Sequence, residues 1–353
     1  MMGGILPWEW PKNDAEERAC LEEQAAERPH GNPLGFAGFR ESHRCAMLHC
    51  GRAAWECVLR GEMERRERMG LPGIRRVLMP RFTCSTVWEP LRRLGLRGET
   101  YGISRSLEPV LPADAGEEEV LLLTDYFGVS ADTVRRAGMG FPGLVVVDAT
   151  MAFFARYDGL WPEARPWAAY YSVRKFAGVP DGGVAVASFD LPLPVEFSRS
   201  GERVRPLLLR RDHGAVAAAK ASEAAEAGLS GPALRMSGLT RLLVQRVDWE
   251  RVNRRRCENY ARLHEALGRI NRLSLPARVQ HGPFCYPLLS GIPGLRDELV
   301  DAGVALPLLW PEVIEACPPE SAENEVARSL LPLPLDHRYG PHEMDWLIRL
   351  ILG

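Results

Sequence analysis

The chain has 353 residues, 46% hydrophobic and 25% charged, with a formal net charge of -2. That length and apolar share suffice for a large buried core, in two domains or in one large domain with an appendage. The charge balance lacks the basic excess that nucleic acid or an anionic membrane attracts, and no apolar run reaches membrane-spanning length, so neither partner is expected.

From the start, residues 1–40 are rich in Glu, Pro and Gly and read as a loosely structured arm. Met1 to Trp8 lack the basic region and long apolar core of a secretory signal, and a cytoplasmic location is expected. The eight cysteines, Cys20, Cys45, Cys50, Cys57, Cys84, Cys257, Cys285 and Cys317, contain no CxxC pair and read as reduced thiols. Cys45, His49, Cys50 and Cys57 fit no usual zinc spacing, and no metal is expected. His43, His49 and His337 read as structural or exposed.

Gly51 opens a helical pattern in which Ala54, Trp55, Val58 and Leu59 share one face, with Arg and Glu on the other through Arg68. Thr86 to Arg93 fits a second helix, and Ser130 suits the N-cap of another through Arg136. Between these lie Arg76 to Met79, Glu119 to Leu123, Leu144 to Val147 and Gly183 to Ala187. Such runs are apolar on both faces, as strands of a parallel sheet covered by helices must be. An alanine-rich helix follows over Ala215 to Ala227, then a helical stretch over Leu239 to Ile270 with Val244, Val247, Val252, Leu263 and Leu267 as its buried stripe. A strand (Phe284 to Leu289), a helix (Pro293 to Ala302), a Pro-rich passage and a last helix (His342 to Leu352) complete the chain. Alternating β and α predicts an α/β fold, a large domain over 41–240 and a smaller α/β domain over 241–353.

Only three lysines, Lys12, Lys175 and Lys220, occur in the chain. Lys175 lies in the segment Tyr170 to Gly183, among aromatic and small residues with a glycine pair that lets backbone approach closely. An amine held among apolar groups is driven toward its neutral form, the nucleophile that condenses with a carbonyl. Asp148 ends the run Leu144 to Val147, at the strand edge where ligands of open α/β sheets bind. Alone it reads better as a cap or an arginine partner; Lys175, just before another strand, shifts that balance. A lysine, an aspartate and a glycine-headed helix are the three parts that hold pyridoxal phosphate. Lys175 would form the internal aldimine, and Asp148 would keep the pyridine nitrogen protonated. The N–H groups of Gly51, Arg52 and Ala53 would meet the phosphate, with the Arg52 guanidinium and the Ser172 hydroxyl beside them.

Six segments stand in a telling order: Cys50-Gly51-Arg52-Ala53-Ala54, Met79 to Cys84, Asp125-Tyr126-Phe127-Gly128, Val147-Asp148-Ala149, Lys175 to Gly183, and Leu333 to Tyr339. From about residue 45 onward the chain resembles the DegT/DnrJ/EryC1/StrS aminotransferases, fold-type I pyridoxal-phosphate enzymes that act largely on keto-sugar nucleotides. The resemblance implies a homodimer with the active site at the subunit interface. It implies transfer of an amino group from an amino acid, glutamate first among them, to a keto-sugar nucleotide or related carbonyl metabolite. A lysine at 175 separates the chain from the family's dehydratase branch, which carries histidine there.

Four positions depart from the family pattern. Met151 replaces a glutamine, Arg52 a serine or threonine, and Ala233 an asparagine ahead of Leu234-Arg235-Met236-Ser237. Cys84 stands in place of an aromatic that stacks on the cofactor ring, so Tyr126 or Phe127 is expected to cover the ring instead. Two alternatives remain open at this level: another pyridoxal-phosphate reaction such as a lyase or decarboxylase, and a non-catalytic binding or regulatory protein on the same fold.

Overall fold

A computed structural model describes residues 37–353, apart from 41, 43 and 164 and the side chains of 202 and 215. The expectations for the arm up to residue 36, and for His43, lie outside the described residues. The apolar runs become strands of an eight-stranded sheet in the order β1-β8-β7-β6-β5-β2-β3-β4. These are β1 (Cys45–Leu48), β2 (Arg76–Pro80), β3 (Gly98–Ile103), β4 (Pro109–Val110), β5 (Glu119–Thr124), β6 (Leu144–Asp148), β7 (Trp167–Ser172) and β8 (Gly183–Ala187).

Strands β3, β2, β5, β6 and β7 pair in parallel. β8, expected in the parallel set, instead runs antiparallel to both β7 and β1. The reason is the short connection from β7: residues 173–182 are too few for a helical crossover, so the chain can only turn back. That reversal puts Lys175 in a single 3-10 turn, Val173–Lys175, at the end of β7. Gly183 is required there, because a Cβ at this position would come within 2.2 Å of the Cys50 carbonyl oxygen.

Side chains alternate across the sheet with the two-residue period of strands. Leu121, Val145, Val147 and Tyr171 face one core with Phe153 and Phe176. Val120, Leu122, Val146 and Tyr170 face the other, under helix α1 (Gly51–Arg68). Ala54, Trp55, Val58 and Leu59 are all fully buried, as the pattern predicts. The opposite face is less solvated than expected. Glu62 and Arg66 are buried there as an ion pair of 2.6 Å, and Arg66 also donates to the carbonyls of Pro72 and Glu117.

Helices α2 (Trp88–Leu94) and α3 (Ala131–Met139) stand where expected. Ser130 occupies the N-cap position of α3, but its hydroxyl donates to the Tyr126 carbonyl at 3.4 Å and accepts no N–H from the helix end. The alanine-rich stretch is the second half of a longer helix α4 (Gly201–Ala227), interrupted at Gly214, where φ is 85°. The helix expected over Leu239 to Ile270 is two, α5 (Gly238–Arg246) and α6 (Trp249–Leu267). Asp248 makes the break by accepting the Arg251 N–H as an N-cap. Val244, Val252, Leu263 and Leu267 are buried, and Val247 at the break is half-buried. Leu243, Val244 and Trp249 pack into the first core of the large sheet.

Beyond α6, β9 (Tyr286–Leu289) pairs antiparallel with β10 (Leu330–Leu333). Tyr260 and Leu263 of α6, with Leu347 of the last helix, build a third core on this pair. Helix α7 (Leu295–Asp301) precedes a stretch that proline content marked as irregular, yet α8 (Glu312–Ala316), α9 (Ala322–Ser329) and β10 form within it. Helix α10 (Pro341–Leu352) closes the chain. No helix among the described residues is long and apolar enough to cross a membrane.

Candidate active site

β5, β6 and β7 are parallel and end at one edge of the sheet, where the loops after them meet. Asp148 is the last residue of β6, paired in register with Tyr170 of β7. The Ala149 N–H continues the ladder to the Tyr170 carbonyl at 2.9 Å, which turns Thr150 out over the edge. Asp148 Oδ1 accepts the Thr150 N–H at 2.9 Å. From β7 the chain makes a single tight turn, Val173–Lys175, held by the Val173 N–H on the Gly182 carbonyl at 3.1 Å.

Lys175 Nζ donates to Thr150 Oγ1 at 3.1 Å and lies 5.8 Å from the centre of the Phe284 ring. Burial pushes its pKa down, against the attraction of Asp148, which acts to raise it. The amine is thereby inclined toward the neutral, nucleophilic form.

Gly51, Arg52, Asp148, Ser172 and Lys175 line a single chamber of about 230 Å³. Helix α1 opens onto it with Cys50 at the N-cap, which provides no side-chain hydrogen bond, and no acidic residue in its first turn. Its free N–H groups and positive dipole end are available to an anion. Ser172 gives the turn after it no side-chain hydrogen bond. The fully buried Tyr170 hydroxyl lies beside the Asp148 carboxylate. Burial and the neighbouring Asp148 keep its pKa well above the phenolic range, so it remains a donor. An open helix end and an amine beside an acid are groups that a phosphorylated aromatic aldehyde satisfies.

Not every residue singled out from the sequence stands on this wall. Ala53 is buried within α1. Tyr126 and Phe127 lie in the layer behind, packed with Phe82, and the Tyr126 hydroxyl donates to the Phe82 carbonyl at 2.7 Å. The aromatic side chain that reaches the wall from the Pro-rich passage is Trp310, 4.6 Å from the Phe82 ring in an edge-on contact. Arg52 is not a free cation: it bonds Glu89 and Ser230 at 3.0 Å and Glu226 at 3.3 Å. Glu226 also pairs with Arg174 at 2.8 Å. Met151 packs away from the chamber, and Thr150 beside it faces in.

Thr150, Tyr170, Glu226 and Trp310 are wall residues that sequence reasoning missed. Thr150 and Tyr170 were within reach of it, being next to Asp148 and Lys175; Glu226 and Trp310 carry no local signal. His49 is buried and accepts the Leu234 N–H at 3.1 Å, a structural role. Asp181 is fully buried and accepts from Ser237 Oγ at 2.9 Å, Ser237 N–H at 3.2 Å and Thr240 Oγ1. It ties the turn carrying Lys175 to the start of α5.

No family model and no curated protein matches the sequence. Solved structures do match the fold over nearly the whole chain. A GDP-4-keto-6-deoxy-D-mannose-3-dehydratase of E. coli with bound hydrated PLP superposes with a TM-score of 0.67 at 14% identity, over 99% of this chain and 100% of that one. The aminotransferase TlmJ of Streptoalloteichus hindustanus gives 0.65 at 16% identity, over 99% and 98%. The sugar aminotransferase CalS13 of Micromonospora echinospora gives 0.57 at 19% identity, over 99% and 93%. At these identities the likeness establishes the architecture, the fold-type I arrangement.

Proposed function

We propose that the chain is a pyridoxal-phosphate-dependent aminotransferase of the DegT/DnrJ/EryC1/StrS kind, moving an amino group from an amino acid such as glutamate to a keto-sugar nucleotide or related carbonyl metabolite. The observation that carries this reading is the placement of Lys175, Thr150 and Asp148 together at the open end of α1. The architecture shared with a PLP-bound dehydratase and two aminotransferases supports it. When bound, the cofactor supplies an electron sink for the substrate carbon.

This chain's residues would do the rest. Asp148 holds a proton on the ring nitrogen. Gly51 and Arg52 N–H groups, with Ser172, hold the phosphate. Tyr170, beside Asp148, would steady that carboxylate, and Trp310 would exclude water. Lys175 would carry a proton on Nζ to and from the substrate carbon, and Thr150 would keep the amine in position. In this reading 41–240 is the cofactor domain and 241–353 the small domain, of a cytoplasmic homodimer.

One observation favours a second reading, a non-catalytic binding protein: Arg52, expected at the phosphate, is already engaged by Glu89 and Glu226. The absorption spectrum of the purified protein with pyridoxal phosphate, before and after L-glutamate, separates the two. A visible band of lysine-bound cofactor that glutamate bleaches, and that Lys175→Ala does not form, is expected of the aminotransferase. Absence of any band in the wild type rejects it.

A further inference from the structure

Lys175 and Arg174 line a second chamber as well, of about 360 Å³, on the side of α6 and the loop before β9. Its walls are largely apolar, with Leu207, Phe284 and Pro332 among them. Into this apolar setting α6 brings Arg256, which is 1% exposed. Its Nη1 donates to the carbonyls of Pro283 and Phe284 at 2.9 and 3.1 Å, and its guanidinium lies 4.5 Å from the Phe176 ring centre. Its Nε has no hydrogen-bond partner, and no carboxylate forms an ion pair with it among the described residues.

The nearest acid in the chamber, Asp336, is held by Arg338 at 2.6 and 2.7 Å. Arg203 also lines the chamber; it bonds Ser198 Oγ at 2.8 Å and the Arg199 carbonyl at 2.6 Å, and it too lacks a carboxylate among the described residues. Asp336 attracts Arg256 through space without pairing with it; a buried cation lacking a hydrogen-bonded counter-ion is costly, and packing alone would be better served by an apolar side chain. With the half-buried Arg203 beside Arg256, the chamber carries more positive than negative charge.

We propose that this chamber is a carboxylate-binding site, in which Arg256 anchors one carboxylate of a dicarboxylic amino or 2-oxo acid and Arg203 takes the other, with the reacting carbon against Lys175. A guanidinium fork matches a carboxylate in two parallel hydrogen bonds, and the apolar walls suit the short carbon chain between the two groups. A diphosphate would meet those walls and Asp336 with charge they do not match. That the ligand acts as amino donor rests on the reading of Lys175 above; the anion site itself does not.

The test is calorimetric titration of the full chain with 2-oxoglutarate, its dimethyl ester, pyruvate and pyrophosphate, in the wild type, Arg256→Met and Arg203→Gln. Saturable binding of 2-oxoglutarate but not of the ester is expected. Arg256→Met should weaken it at least tenfold while the melting temperature holds or rises, because a methionine fills the space without a buried charge. Arg203→Gln should weaken 2-oxoglutarate and leave pyruvate unchanged, and it keeps the test in hand if Arg256→Met does not fold. Unchanged binding in both variants overturns the proposal, as does Arg256-dependent binding of pyrophosphate without any of 2-oxoglutarate. The cofactor band is read on the same samples: carboxylate binding without a band sinks the aminotransferase reading alone, and a band without carboxylate binding sinks this one alone.

Discussion

Asp125 shows how far the charge of a single residue depends on what surrounds it. It is fully buried, accepting from the Tyr157 hydroxyl and the Ser130 N–H at 2.8 Å each. Burial, helped by the nearby negative charge of Asp148 and opposed by those two hydrogen bonds, lifts its pKa to about 6. Its unfolded value is about 3.9, so the native state binds a proton more tightly. The stability it contributes is complete below about pH 4 and is lost as pH rises through about 6, at most about 3 kcal/mol for a shift of two units. Denaturation from pH 4 to 7 should show the wild type losing stability relative to Asp125→Asn. A constant difference between the two across that range rejects the account.

The turn that carries Lys175 has few bonds of its own and depends on α5 to hold it. Ser237 caps α5 by accepting the Thr240 N–H at 3.3 Å, and the same hydroxyl donates to Asp181. Ser237→Ala removes the cap and leaves a buried carboxylate short of one donor, at a cost of about 2 kcal/mol. Urea denaturation measures that loss, and a change below about 0.5 kcal/mol would show that Thr240 and the backbone hold Asp181 unaided. The helical period over 239–270 was legible in the sequence, and so was its buried stripe. The interruption was not, because Asp248 reads as one more polar residue until its side chain is seen to close over the Arg251 N–H.

At the scale of the molecule, the first chamber is assembled from segments near residues 51, 84, 148, 172, 226 and 310. Glu226, at the far end of α4, links Arg52 of α1 to Arg174 of the lysine turn. Those two cations hold its carboxyl below the usual range, against the effect of burial. A carboxylate so placed competes with an incoming phosphate for the same guanidinium groups. Glu226→Gln should therefore bind pyridoxal phosphate several-fold more tightly in a spectroscopic titration, with no gain for pyridoxal, which lacks the phosphate. Equal gains for both would show that Glu226 blocks the chamber by bulk and not by charge.

The sequence by itself determined what local order can encode. The apolar runs, the period of α1, and the positions of Asp148 at a strand end and Lys175 before a glycine pair follow from side-chain alternation, helical spacing and the reach of backbone. Strand direction at β8, the placement of Tyr126 and Phe127 behind Trp310, the engagement of Arg52 by two glutamates and the unpaired Arg256 were decided by tertiary structure. Each depends on which distant segment supplies the neighbour, and a residue's spacing along the chain carries no record of that. Even the α-helices and strand within the Pro-rich passage form because other elements cover their apolar faces, and Trp310 reaches the site by the same packing.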